Sequence, residues 1–150
     1  MKILLAIDGS PSSERAVDEV AHRHWSEDSE VRIIAVVETP IAFATELNVA
    51  PATYYEELEK AERAKALDTL ERAEAKLQSA EKNCKSRITT EVLMGSPKRL
   101  IVEEAERFGA DLIVVGSHGY RSWERMLLGS VSQAVAAHAE CSVLIVRSRK

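Results

Sequence analysis

The sequence predicts an α/β protein: a five-stranded parallel sheet covered by helices on both faces, a doubly wound three-layer α/β/α sandwich. Three observations predict it. Short apolar, β-branched runs alternate along the chain with segments of helical periodicity, the arrangement of successive βαβ units. Several of these runs, KILLAI at 2–7 and DLIVV at 111–115 among them, carry no polar alternation, as strands buried on both faces require. The first and fourth runs also end in glycine- and serine-bearing turns, DGSPSS and GSHG.

Taken in order, KILLAI is the first strand, and DGSPSS then supplies a helix start. Ser10 can cap that helix with Pro11 at its first position, and Glu14 in the first turn suits the helix dipole. Val17, Val20, Ala21 and Trp25 recur at helical spacing, and VRIIAVVE at 31–38 is the second strand. Residues 39–53, TPIAFATELNVAPAT, are too apolar for a solvated linker and predict a loop folded against the body. One long helix is expected over 54–82, with Leu58, Ala61, Leu67, Leu70, Ala73 or Glu74, and Leu77 near one stripe. Opposite-charge pairs such as Glu56–Lys60 and Glu59–Arg63 mark its solvated faces. RITTEVLMG is the third strand. A second Gly-Ser-Pro signal opens a helix with Leu100, Ile101, Glu104 or Ala105, and Phe108 in register, closed by Gly109. ADLIVVG, the helix SVSQAVAAHA and the strand SVLIVR complete the pattern.

At 150 residues the chain is expected to form a single domain over 1–150. The net charge of −4 gives no electrostatic reason to expect nucleic acid as a partner. No run approaches the ~20 apolar residues of a membrane span, and the N-terminus lacks the layout of a signal peptide. Cys84 and Cys141 form no metal or redox motif and read as reduced thiols. A cytoplasmic protein is expected.

The glycines of GSHGYRSWERMLLGSVS point to chemistry. In open α/β sheets ligands bind beyond the carboxyl ends of the strands, where the connection order reverses. Glycine lets backbone N–H groups approach an anion, and it can take positive φ to build a nest. Gly116 and Gly119 follow a buried strand, and Gly129 opens a helix with Ser130 and Ser132 in its first turn, where unpaired N–H groups favour phosphate. The spacing matches neither the Rossmann nor the P-loop fingerprint, so it indicates an anion site without naming the anion.

Gly116-x2-Gly119-x9-Gly129-Ser130 resembles the nucleotide-binding motif of the universal stress protein family, in its ATP-binding branch. The likeness extends to ILLAIDGSPSSERAV, GADLIVVGSHG and LLGSVSQAVAAHAECSVLIV. It implies strand order 3-2-1-4-5, which pattern alone leaves open, and so places Asp8 and Gly116 across one crevice. By the same resemblance Asp8 would contact the ribose of ATP, and the backbones of Ala6 and Val36 would lie by the adenine. Gly116, Ser117, His118, Gly119, Arg121 and Ser122, with Ser130, Val131 and Ser132, would line the phosphates, and Gly129 would permit close approach. Mg²⁺ could accompany the triphosphate, although no carboxylate cluster marks a dedicated site. Arg121 reads equally as a phosphate ligand or a solvated loop residue, and Trp123 as packing, partner contact or gate. Ser142 stands where the family often has proline. The resemblance implies a regulatory nucleotide-binding protein of the stress response. A homodimer through the C-terminal strand is expected, because pairing would cover an apolar sheet edge. Slow ATP hydrolysis or self-phosphorylation on Ser130 or Ser132, and a purely protein-binding role, are the alternatives.

Overall fold

The structure is a computed structural model that describes residues 1–38, 52–80, 87–119 and 128–147. Among the described residues nine elements follow in the order β1 (Lys2–Ile7), α1 (Pro11–His22), β2 (Glu30–Val37), α2 (Ala52–Ser79), β3 (Arg87–Met94), α3 (Pro97–Phe108), β4 (Leu112–Gly116), α4 (Ser130–His138) and β5 (Ser142–Val146). The five strands form one parallel sheet in the order β3-β2-β1-β4-β5. The chain therefore builds outward from β1 to β3, then crosses back to place β4 on the other side of β1. That reversal puts the carboxyl ends of β1 and β4 side by side.

The period of two along each strand divides the core into two layers. Ile3, Leu5 and Ile7 of β1, with Val31, Ile33, Ala35 and Val114, pack under Ala16, Val17 and Val20 of α1 and Leu70, Ala73 and Leu77 of α2. Leu4 and Ala6, with Ile34, Ile113 and Val115, pack under Ile101 and Ala105 of α3 and Val135 of α4. β1 is buried on both sides from Ile3 to Ile7, which is why it shows no polar alternation.

Helix signals in the sequence act where expected. The Ser10 hydroxyl accepts from Ser13 N–H at 3.3 Å and caps α1. Gly109 ends α3 in the left-handed region at φ 68°, with its N–H on Glu106 O at 3.0 Å and the Ala110 N–H on Ala105 O at 2.8 Å. In α3 both Glu104 and Ala105 are buried. Glu104 takes an ion pair from Arg32 on one oxygen and from Arg107 on the other, at 2.5 and 2.6 Å. These two cations stabilise a carboxylate that alone would be costly to bury.

Two expectations about helix faces need correction. Trp25 lies beyond the end of α1, because the chain leaves the helix at Arg23; its indole packs on the core while Nε1 donates to Val20 O at 2.8 Å. Leu67 is 45% exposed. The face of α2 that meets the sheet runs through Ala66, Leu70, Ala73, Leu77 and Ala80, and Leu67 falls just past its edge. The expected loop at 39–53 lies, except for its last two residues, outside the described residues, as do Cys84, Tyr120, Arg121, Ser122 and Trp123.

Candidate functional site

The turn after β1 is built by two short polar residues, Asp8 and Ser10, and one glycine. Gly9 takes φ 80°, a conformation that favours glycine, and lets the chain fold back into α1. The exposed Asp8 turns one carboxylate oxygen onto Ser10 N–H at 2.9 Å. Its other oxygen faces the loop after β4: a Cβ added to Gly119 would lie 2.7 Å from Asp8 Oδ2. Asp8 and Gly119 thus meet across the point where the strand order reverses.

The turn after β4 is anchored on all sides. Ser117 is buried; its N–H donates to Val146 O at the end of β5 at 2.8 Å. Its carbonyl accepts from Gly129 N–H at 2.7 Å and from the Ser132 hydroxyl at 3.0 Å. The next carbonyl, His118 O, accepts from the Ser10 hydroxyl at 3.1 Å. The Ser117 hydroxyl and His118 Nδ1 lie 3.0 Å apart. β4 is thereby tied to β5, to the start of α4 and to the start of α1.

α4 opens at Gly129, which has φ −71° and provides no side-chain cap. Its first internal bond runs from Gln133 N–H to Gly129 O at 3.0 Å. The N–H groups of Ser130, Val131 and Ser132 precede that bond, and helix geometry gives them no carbonyl one turn back. Together with the dipole, this end of α4 suits negative charge. Ser130 is exposed and Ser132 buried. The Ser132 hydroxyl is shared between Ser117 O and, at 2.9 Å, Gly129 O.

The glycines do their work differently from the nest the sequence suggests. The positive φ angles fall at Gly9, Gly95 and Gly109, and none at Gly116, Gly119 or Gly129. Gly116 is a packing glycine: a Cβ there would lie 2.7 Å from both Ser12 C and Ser13 N, so β4 slides directly against the first turn of α1. Gly119 leaves room for the Asp8 carboxylate. Ala6 and Val36 both lie on the α3–α4 side of the sheet, one strand apart near the carboxyl ends. The structure therefore brings together Asp8, Ser117, His118, Gly119, Gly129, Ser130, Val131 and Ser132, with Gly116 beneath them. Arg121 and Ser122 lie outside the described residues.

Two site features escape sequence reasoning. One is the bond from Ser10 to His118 O, which depends on which turns become neighbours. The other is the burial of Ser12 and Ser13, 4% and 3% exposed, as the surface that Gly116 meets. The run of small residues in DGSPSS is the one signal for such a close approach. Among the described residues no group of three His, Cys, Asp or Glu is placed to hold a metal ion, and no helix is long and apolar enough to cross a membrane. A cleft of about 220 Å³ opens between α1 and α2 and reaches the same turn after β1, lined by Gly9 and Ser13 with Ile7, Val17, Arg72 and Lys76 among others.

The chain as a whole resembles known proteins. Residues 1–147 match the model of the universal stress protein family. Universal stress protein YxiE of Bacillus subtilis is 34% identical over 149 residues, covering 97% of this chain and 98% of its own length. Universal stress protein MJ0531 of Methanocaldococcus jannaschii is 36% identical over 155 residues, covering 99% and 83%. Among solved structures, hypothetical protein MJ0577 superposes with a TM-score of 0.83 at 26% identity, over 99% of this chain and 96% of that one. Three further structures share the fold with bound ligands. One is a universal stress protein in complex with cAMP, with TM-score 0.63, 25% identity and 98% and 96% of the two chains covered. One is from Arabidopsis thaliana with AMP bound, at TM-score 0.70, 21% identity and 99% and 92% coverage. One is from Archaeoglobus fulgidus in complex with dAMP, at TM-score 0.65, 20% identity and 97% coverage of each chain. With the family's model matched over 1–147 and the strand order its resemblance implies, the chain belongs to the universal stress protein family.

Proposed function

We propose that this protein binds an adenine nucleotide, ATP in the first instance, in the crevice beyond β1 and β4, and acts as a regulator through its nucleotide-bound state. One observation carries the reading: the Asp8 carboxylate, the Gly119 backbone and the uncapped start of α4 are held in one unit at the reversal of strand order. A carboxylate there accepts from ribose hydroxyls, and main-chain amides at a helix start donate to phosphate oxygens. Dipole attraction alone contributes only ~0.3–1 kcal/mol, up to about 2 when partly buried, so several donors must converge.

In this reading the backbones of Ala6 and Val36 flank the adenine. Gly119, Ser130 and Val131 present amides to the phosphates, with Arg121 and Ser122 as further ligands and Gly129 at closest approach. Gly116 forms the floor, and Mg²⁺ accompanies the triphosphate as a counterion. The solved relatives described with AMP, dAMP and cAMP support the adenylate class. Slow ATP hydrolysis or phosphoryl transfer to Ser130 or Ser132 is the alternative; of the two hydroxyls Ser130 is exposed, whereas Ser132 is buried and already committed to two carbonyls. The regulatory output is a nucleotide-dependent homodimer, joined through β5, in a cytoplasmic stress response.

Native mass spectrometry of the protein as purified tests the reading. The expected result is a population carrying one adenine nucleotide per chain. Absence of that mass, together with absence of calorimetric binding at millimolar ATP, contradicts it.

A further inference from the structure

We propose that Ser10 and Ser132 are positioning residues for the phosphate end of this site. Their buried hydroxyls hold two consecutive carbonyls, those of His118 and Ser117, away from the ligand so that the amide edge of the loop faces it. The proposal rests on the nucleotide reading above and assigns the hydroxyls of these serines no contact with the ligand.

A peptide's C=O and N–H point in opposite directions, so a loop that offers amides to an anion must send its carbonyl oxygens elsewhere. Here both carbonyls accept from hydroxyls, and Ser117 O also accepts from Gly129 N–H at 2.7 Å. Ser10, 1% exposed, donates to His118 O at 3.1 Å across 108 residues of sequence. Ser132, 2% exposed, reaches Ser117 O at 3.0 Å. Each hydroxyl stands at a helix start: Ser10 caps α1, and Ser132 is in the first turn of α4. The two helices therefore each hold one of two adjacent carbonyls at the start of the loop, and both hydroxyls are too buried to be surface ligands. Alanine at Ser10 removes the one hydroxyl on His118 O together with the cap on Ser13 N–H, whereas alanine at Ser132 leaves Ser117 O still held by Gly129 N–H at 2.7 Å. The His118 peptide can then rotate its oxygen toward the anion, where it repels phosphate, while the Ser117 peptide is loosened but not released.

The test compares the full-length protein with Ser10→Ala, Ser132→Ala and the corresponding Ser10→Thr and Ser132→Thr variants. Affinities for ATP, AMP and adenosine are measured by NMR titration, and thermal melts without ligand check that each variant folds. Ser10→Ala is expected to lose roughly five- to tenfold in ATP affinity, the effect of one neutral hydrogen bond, and Ser132→Ala about twofold, because Gly129 N–H still holds Ser117 O. Adenosine, which lacks phosphate, should bind unchanged, and threonine should restore ATP affinity. Equal weakening of ATP and adenosine would reduce the serines to a general structural role and overturn the proposal, as would no weakening of either. If the unsubstituted protein binds neither, the nucleotide reading itself is wrong and the proposal falls with it.

Discussion

Gly116 and Gly119 lie three positions apart and are glycine for different reasons. At Gly116 an added Cβ would sit 2.7 Å from two backbone atoms of α1, which have no freedom to withdraw. At Gly119 the same atom would meet Asp8 Oδ2 at 2.7 Å, the end of a side chain that can rotate. Gly116→Ala is therefore expected to destabilise the fold by about 1–3 kcal/mol, as overpacking does, and to lower the thermal midpoint by several degrees. Gly119→Ala should leave the melt nearly unchanged. Thermal unfolding of the two variants checks this; equal losses would refute the distinction. The spacing of these glycines is legible in the sequence, but its physical cause is not. A pattern cannot separate a left-handed turn from a close approach, because the approach depends on what packs opposite. Ser10 is similar: its role as a helix cap can be read locally, whereas its bond to His118 O needs the tertiary neighbour.

Among elements, α2 illustrates how a helix can be recognised while its buried face is misjudged. Its many alanines give the apolar stripe little contrast, so Leu67 competes with Ala66 for the same edge. Contact with the sheet decides for Ala66. Leu70, 2% exposed, is then a core residue, and Leu70→Ala should cost about 2–5 kcal/mol. Leu67→Ala, on the solvent side, should change stability by no more than about 0.5 kcal/mol. Denaturant unfolding measures both, and comparable losses would mean that α2 turns a different face to the sheet. By contrast, α3 is legible from end to end. Its proline start, buried Ile101 and Phe108, and left-handed Gly109 each follow from local chemistry that tertiary packing does not override.

At the scale of the whole molecule, parallel strands and their number follow from apolar runs alternating with helices, whereas strand order does not. Order depends on which crossover returns to β1, and only the family resemblance implies it. That order makes the site, since it brings the turn after β1 against the turn after β4. It also leaves β5 at a sheet edge. Its Val143, Leu144, Ile145 and Val146 are only partly buried within the monomer. A parallel-sheet edge of this composition favours pairing with a second copy. Light scattering at tens of micromolar is expected to give twice the monomer mass, and Ile145→Lys to shift it toward monomer. A monomeric mass for the unsubstituted protein would contradict pairing through β5.

The central claim is that main-chain amides at this reversal point, together with Asp8, hold an adenylate. A crystal structure determined with ATP tests it most directly. Ribose hydroxyls are expected within hydrogen-bonding distance of the Asp8 carboxylate, and phosphates at Gly119 and the start of α4. Nucleotide in the cleft between α1 and α2 instead, or a crevice closed by the protein's own residues with no nucleotide in it, would contradict it.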